Sequence, residues 1–322
     1  MEVAIRLEGG LGDHILGMRF LYFIKRRYPR HKIVAYCDCG GFPSQLEAVS
    51  LSPFPDEIVP VLQDRTRVNF DTIGELDNLS ASDLAKIRAA DVFIDAWPGP
   101  EFMPGTTDIN PGSLYIPQSA QLRVPFYRIL ASRPHLQVAT DSREEARERI
   151  KFSNQHRYIA INFDKYDAES LRSNYHWLRP FLMELLEDPR VTILNLFSKC
   201  MDFPHLPEEM RCERREQALH TADALEEISS WHPRIVSLIN DDRCPLRIKV
   251  VAAVLLMCRY FVGVDNGLKH LAWALRVPRK YFFPFPPAAY RVLRWMPDYH
   301  NLVLVGSVNA TWLIGRIRRH LA

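Results

Sequence analysis

Gly263-Val264-Asp265-Asn266-Gly267-Leu268-Lys269-His270-Leu271-Ala272-Trp273-Ala274-Leu275-Arg276-Val277-Pro278 reads as the end of a strand running straight into a helix. The run before it, Tyr260-Phe261-Val262, is apolar without alternation, as in a strand covered on both faces. Beyond Asp265, the residues Leu268, Leu271, Ala272 and Leu275 recur at i, i+3, i+4 and i+7, which is the core stripe of a helix. Asn266 and His270, four apart, then share the opposite, exposed edge of the first turn. The amides of residues 266 to 268 point outward at the helix start and form an anion site for which a diphosphate has suitable bulk. Gly267 costs up to about 1 kcal/mol relative to Ala in a first turn, and close approach of a ligand accounts for it. A purely structural alternative stands beside this: Asp265 or Asn266 caps the helix and His270 is a satisfied interior histidine.

The same alternation of short apolar runs and helical patterns extends through the chain and predicts an α/β fold of parallel units. Strands are expected at residues 3–7, 33–37, 58–62 and 92–95, with helices near 13–27 and 82–89, making one doubly wound lobe over residues 1–150. Residues 99–140 carry Pro100, Pro104, Pro111, Pro117, Pro125 and Pro134 with little periodicity, as in an excursion over the lobe's surface. A charged helix at 141–151 leads to Tyr158-Ile159-Ala160-Ile161-Asn162-Phe163, the first strand of a second lobe over 151–322. That lobe is expected to continue with a helix at 177–187, strands at 191–197 and 235–238, a helix at 246–258 and the strand at 260–264, with another strand-helix unit after it. The chain closes on an apolar run at 302–305 and an amphipathic helix at 310–321 able to pack back against the first lobe. No short-period repeat is visible.

A second motif, Glu8-Gly9-Gly10-Leu11-Gly12-Asp13-His14-Ile15-Leu16-Gly17, stands between the first strand and a helix with the stripe Leu16, Phe20, Phe23 and Ile24. Glycines at a strand's carboxyl end let the backbone approach a substrate, so Gly10, Gly12, Asp13 and His14 are candidate site residues. Gly10-Leu11-Gly12 begins a dinucleotide fingerprint and Asp38 stands where a ribose-binding acid would, but Ile15 occupies the place of the third glycine. A nicotinamide or flavin enzyme is thus only partly matched. Asp13 also has a bland reading as a helix cap or dipole partner.

The 322 residues, 47% hydrophobic and 25% charged, are those of a globular chain long enough for two cores. A net charge of +3 argues against nucleic acid as an obligatory partner, with small basic clusters at Lys25-Arg26-Arg27 and Arg316, Arg318 and Arg319. The six cysteines, Cys37, Cys39, Cys200, Cys212, Cys244 and Cys258, lack C-x-x-C spacing, which fits reduced thiols in a cytosol. Cys37-Asp38-Cys39 finds no matching pair at zinc-ligand spacing, so no metal site is expected. Val3 to Leu7 is strand-like from the start and no apolar run reaches 18 residues, so neither a secretion signal nor a membrane span is expected.

Taken together, the two motifs resemble glycosyltransferase family 9, the heptosyltransferases, whose second lobe carries Asp-Ser/Thr-Gly-x-x-His-x-x-Ala-x-x-x-x-x-Pro. Asp265, Asn266, Gly267, His270, Trp273 and Pro278 stand at the matching positions, with Asn for the hydroxyl residue and Trp for Ala. The segment 245–258 also resembles the helix leading into that strand, and Glu8 to Gly17 resembles the family's Gly-Asp-hydrophobic loop. The family's Lys before a Trp-Pro pair is missing: Arg172-Ser173-Asn174-Tyr175-His176-Trp177-Leu178-Arg179-Pro180 stands there, so Arg172 or Lys165 is left to neutralise the donor phosphate.

The resemblance implies a GT-B fold, two Rossmann-like lobes facing a central cleft, with acceptor on the first and nucleotide-sugar on the second. It implies Asp13 as catalytic base and Asp265, Asn266, Gly267 and His270 as donor-binding residues. The reaction implied is inverting transfer without metal or cofactor from a nucleotide-diphosphate-sugar to a hydroxyl of a glycan, lipid-linked saccharide or other acceptor, in the cytoplasm, with transient contact at the inner membrane. Two rivals stand beside it: another Rossmann-type enzyme, an NAD-dependent oxidoreductase or nucleotide-sugar epimerase, and a catalytically inactive GT-B binding protein.

Overall fold

The structure is a computed structural model that describes residues 1–38, 43–61, 79–96, 116–165, 167–199, 208–240, 242–264, 266–283, 302–304 and 310–321. The described residues fall into two compact units, the first made of those up to 137 and the second of those from 138 onward.

In the first unit, β1 (Glu2–Leu7), β2 (Lys32–Asp38), β3 (Glu57–Val61) and β4 (Val92–Asp95) form a parallel sheet in the order β3-β2-β1-β4. Val3, Ile5 and Leu7 face one apolar layer with Met18, Phe20, Leu21 and Ile24, while Ala4 packs on the other side with Val34, Leu79 and Ile87. The alternation is hidden in sequence because both faces are covered. The single helix expected at 13–27 is two, α1 (Leu11–Gly17) and α2 (Arg19–Arg27). Gly17 ends α1 against the sheet, where a Cβ would lie 2.6 Å from Leu7 Cδ2. The unit also contains α3 (Pro43–Val49), α4 (Ala81–Ala89), α5 (Ile116–Leu122) and α6 (Phe126–Ala131). Much of the proline-rich excursion lies outside the described residues.

The second unit opens with α7 (Thr140–Arg149), earlier than the expected boundary at 150. This helix lies on α11 (Ile248–Met257), with Glu145 bridged to Arg247. Its sheet is parallel in the order β10-β9-β8-β5-β6-β7, from β5 (Arg157–Asn162), β6 (Val191–Leu196), β7 (Ile235–Leu238), β8 (Cys258–Val264), β9 (Arg279–Phe283) and β10 (Leu302–Leu304). Helices α8 (Ala168–Ser173), α9 (Tyr175–Leu185), α10 (Glu208–Ser230) and α12 (Gly267–Ala274) complete the described connections. The terminal helix α13 (Ala310–Leu321) is the amphipathic one that the sequence leaves able to pack back against the first lobe. Its Leu313, Ile314 and Ile317 join the second unit's core, and Arg318 holds Glu184 and Glu187 on and beside α9. No helix among the described residues is long and apolar enough to cross a membrane.

In each sheet the strand order reverses once, between β1 and β4 and between β5 and β8. Ligands of open α/β sheets bind at the carboxyl ends beside such switch points. The loop Glu8 to Asp13 leaves β1, and the loop before α12 leaves β8, so each sequence motif stands at its own sheet's switch point.

Candidate functional site

In the first unit, Gly9 turns the chain with φ 88°, a conformation costly for any side chain, and Gly10 becomes the N-cap of α1. Asp13 reaches back so that its Oδ2 accepts from Gly10 N at 2.8 Å. The capping reading of Asp13 is thereby realised. Gly12 and Asp13 are half-buried and Gly10 exposed.

His14, the third candidate of the acceptor-side loop, is fully buried. Its Nδ1 lies 3.1 Å from the Gly10 carbonyl, and burial pulls its pKa down to about 4. The neutral ring therefore donates to that carbonyl and supports the loop from inside.

The sequence reading missed a charged cluster beneath this loop. Arg6, in register with Asp95 across β1 and β4, donates through Nε to Asp95 Oδ1 at 3.0 Å and through a terminal nitrogen to Oδ2 at 2.5 Å. Another terminal nitrogen lies 3.2 Å from Glu8 Oε2. Arg6 and Glu8 side chains are each 1% exposed, Asp95 33%. A buried guanidinium between two carboxylates ties β4 to the residue that enters the glycine loop. The signal available in sequence was an Arg and a Glu in an otherwise apolar strand.

In the second unit, Asn266 is the N-cap of α12, its Oδ1 accepting from the amides of Leu268 at 3.1 Å and Lys269 at 3.3 Å. Those amides are thus occupied by the cap, and the outward anion site expected over 266–268 contracts to the backbone of Asn266 and Gly267. His270 is also not on an exposed edge: residues 268 to 274 are all buried, with His270 at 8% exposure. Asp265 lies outside the described residues.

The other end of the Asn266 amide donates to Asp164 Oδ1 at 2.9 Å and to Asn162 Oδ1. Asp164 Oδ2 accepts from Ser198 N at 2.5 Å and Ser198 Oγ at 2.7 Å. Asn162 Nδ2 donates to Leu196 O at 2.9 Å. Gly263, opposite Asn162 in register, admits this close approach, since a Cβ there would lie 2.5 Å from the Asn162 carbonyl.

Of the two basic residues weighed for donor phosphate, Lys165 is exposed directly after Asp164. Arg172 pairs with Glu227 of α10 at 3.2 Å, turned to that helix. A third cation, Lys199, went unremarked in the sequence. It is half-buried beside Ser198, donates to Thr221 Oγ1 at 2.9 Å, and feels the charges of Asp164 and Asp167. Burial lowers its pKa.

No family model matches the chain, and no curated protein is significantly similar to it. Solved structures do resemble it. A glycosyl transferase family 9 structure from Veillonella parvula is 15% identical with TM-score 0.58, covering 99% of this chain and 89% of that one. The ADP-heptose lps heptosyltransferase II of E. coli is 14% identical with TM-score 0.58, covering 95% and 90%. A putative UDP-N-acetylglucosamine 2-epimerase from Listeria monocytogenes is 11% identical with TM-score 0.50, covering 99% and 87%. At such identities the likeness speaks for fold alone. This chain has the GT-B type of α/β fold, two Rossmann-like units each with its own parallel sheet, and in fold as in motif it resembles glycosyltransferase family 9.

Proposed function

We propose that the protein is a glycosyltransferase that moves a sugar from a nucleoside-diphosphate-sugar to an acceptor hydroxyl, with inversion and without a metal. The observation that carries this reading is Asp13, a half-buried carboxylate on the glycine loop at the first sheet's switch point, anchored to Gly10 N by one oxygen. A carboxylate so held is shaped to take a proton from a hydroxyl presented over the loop as that hydroxyl attacks the anomeric carbon. The second unit would receive the donor at the start of α12, with Lys165 and Lys199 as the nearby cations and the amides of Asn266 and Gly267 toward the leaving diphosphate. Asp265 and His270 keep their donor-binding assignment in this reading, His270 from a buried position. Glycan and lipid-linked saccharide hydroxyls are the acceptor class. A visit to an anionic membrane surface would fall to Arg316 and Arg319, because Arg318 is bound to Glu184 and Glu187.

The likeness to an epimerase favours a second reading, in which the same nucleotide-sugar is isomerised with no acceptor. A thermal-shift screen with ADP, UDP, GDP and NAD, followed by NMR of each stabilising nucleotide-sugar with chelator present, separates the readings. Stabilisation by a nucleoside diphosphate and sugar transfer in chelator support the proposal. Stabilisation by none of them, or by NAD alone, overturns it; isomerised sugar still on its nucleotide favours the epimerase, and transfer that needs magnesium removes the metal-free mechanism.

A further inference from the structure

Asp164 poses a problem for the donor reading. It is a carboxylate with 2% exposure, two residues beyond the end of β5 and bonded to the cap of the helix proposed to meet a diphosphate. By charge alone it opposes an anionic ligand. Its contacts point to a different task.

Both of its oxygens are committed, Oδ2 to two donors of Ser198 and Oδ1 to Asn266 Nδ2. Asn266 in turn has two amide hydrogens, and both are used, one on Asp164 and one on Asn162. Asn162 cannot turn its own amide to accommodate a flip, because its Nδ2 holds the Leu196 carbonyl. Flipping Asn266 would set its oxygen against two acceptor oxygens. The Asn266 oxygen therefore has one direction available, toward the amides of Leu268 and Lys269. A Ser or Thr at this position has a single hydroxyl hydrogen and could not serve both acceptors, which gives the Asn a physical reason.

We infer that Asp164 is a positioning residue that acts through Asn266, locking the loops after β5, β6 and β8 together so that the start of α12 is preformed for the donor's diphosphate. The inference rests on the donor reading above. Preorganisation of this kind raises affinity by removing ordering cost at binding rather than by adding a contact.

The test is a charge swap read by calorimetry with ADP and UDP as probes. Asn266→Asp sets a second carboxylate against Asp164 and is expected to weaken nucleotide binding by about tenfold or more. Asp164→Asn sets amide against amide and is expected to cost several-fold. The double variant restores one donor and one acceptor between positions 164 and 266 but leaves Asn162 Oδ1 without its donor, so affinity should recover well above that of Asn266→Asp without reaching wild type. Ser198→Ala, a small change that removes one donor to Asp164, should weaken binding by roughly two- to tenfold and is the probe if either swap variant fails to fold. Losses that simply add in the double variant, or single variants that bind like wild type, overturn the inference while leaving the donor reading in place. A wild-type protein that binds neither nucleotide removes both.

Discussion

Replacing Asp13 by Asn separates the two roles that the loop geometry assigns to this residue. One oxygen accepts from Gly10 N at 2.8 Å, and an Asn amide oxygen can keep that bond in nearly the same shape. A lost side-chain cap typically costs about 0.5–2 kcal/mol, so Asp13→Asn, which retains the acceptor, should cost well under about 1 kcal/mol. For a lobe of this size that is a shift in Tm of no more than a few degrees. The chemistry behaves differently, because an amide cannot take the acceptor's proton. Removal of a general base lowers turnover by about 10²- to 10⁴-fold, with nucleotide affinity from the other unit little changed. The assay is sugar release from the donor at saturating donor and acceptor, with calorimetry on the nucleoside diphosphate in parallel. Retention of more than about a third of wild-type turnover would refute the base role and return Asp13 to capping alone. A Tm drop of ten degrees with proportionate loss of activity would refute the geometry, since it would mean the loop depends on the charge.

Arg6→Met keeps the packed stem but leaves Glu8 and Asp95 without their shared cation; because Asp95 is a third exposed, the expected cost is near the lower end of the buried-pair range, about 3 kcal/mol, read as a denaturant midpoint. Adding Glu8→Gln and Asp95→Asn should recover most of it, and no recovery would show that the ions are not the cause. For His14, burial lowers the folded-state pKa from 6.5 to about 4, so between those values only the unfolded chain takes up a proton. Its contribution is whole above pH 6.5 and decays by about 3 kcal/mol as pH falls to 4, and His14→Gln should flatten that part of the stability-pH curve. Gly263→Ala forces a methyl against the Asn162 carbonyl at 2.5 Å and should destabilise the second unit by about 1–3 kcal/mol, whereas a Tm equal to wild type would deny the close contact of β5 and β8.

The fold was legible where hydrophobic period and chain punctuation agree. Strands such as Val92–Asp95 and Ile235–Leu238 stand where the apolar runs place them. Helix Glu208–Ser230 was not anticipated, and its residues explain why. Its buried side is Ala218, Thr221, Ala222, Leu225 and Ile228, mostly small groups with little hydropathy, while its first half is exposed and charged. The break at Met18 was equally hidden, because Gly17 is chosen by the distance to Leu7, a contact absent from any local pattern. The terminal helix showed its apolar stripe but not its destination, since Leu313, Ile314 and Ile317 would suit the core of either unit.

The candidate site divides along the same line. Glycines and caps act over a few residues, so Gly10, Asp13 and Asn266 could be found by spacing. The groups that hold them act across the sheet: Arg6 meets Asp95 over 89 residues of chain, and Asn266 meets Asp164 over 102. Spacing carries no information about such pairs; strand register does. Once Arg6 is opposite Asp95, and Gly263 opposite Asn162, the partners follow from the parallel ladder. The error at His270 has this origin too, for a helical wheel drawn on one helix leaves a polar edge exposed by default. At the switch point of a six-stranded sheet, α12 is buried from Leu268 to Ala274, its polar residues included. Both loops are thus held by buried charge at the carboxyl edge of their own sheet, Arg6 with Glu8 and Asp95 in one and Asp164 with Ser198 and Asn266 in the other. Charges in those places cost desolvation energy that apolar residues would not, which is the expected signature of loops whose geometry, rather than whose stability, is under selection.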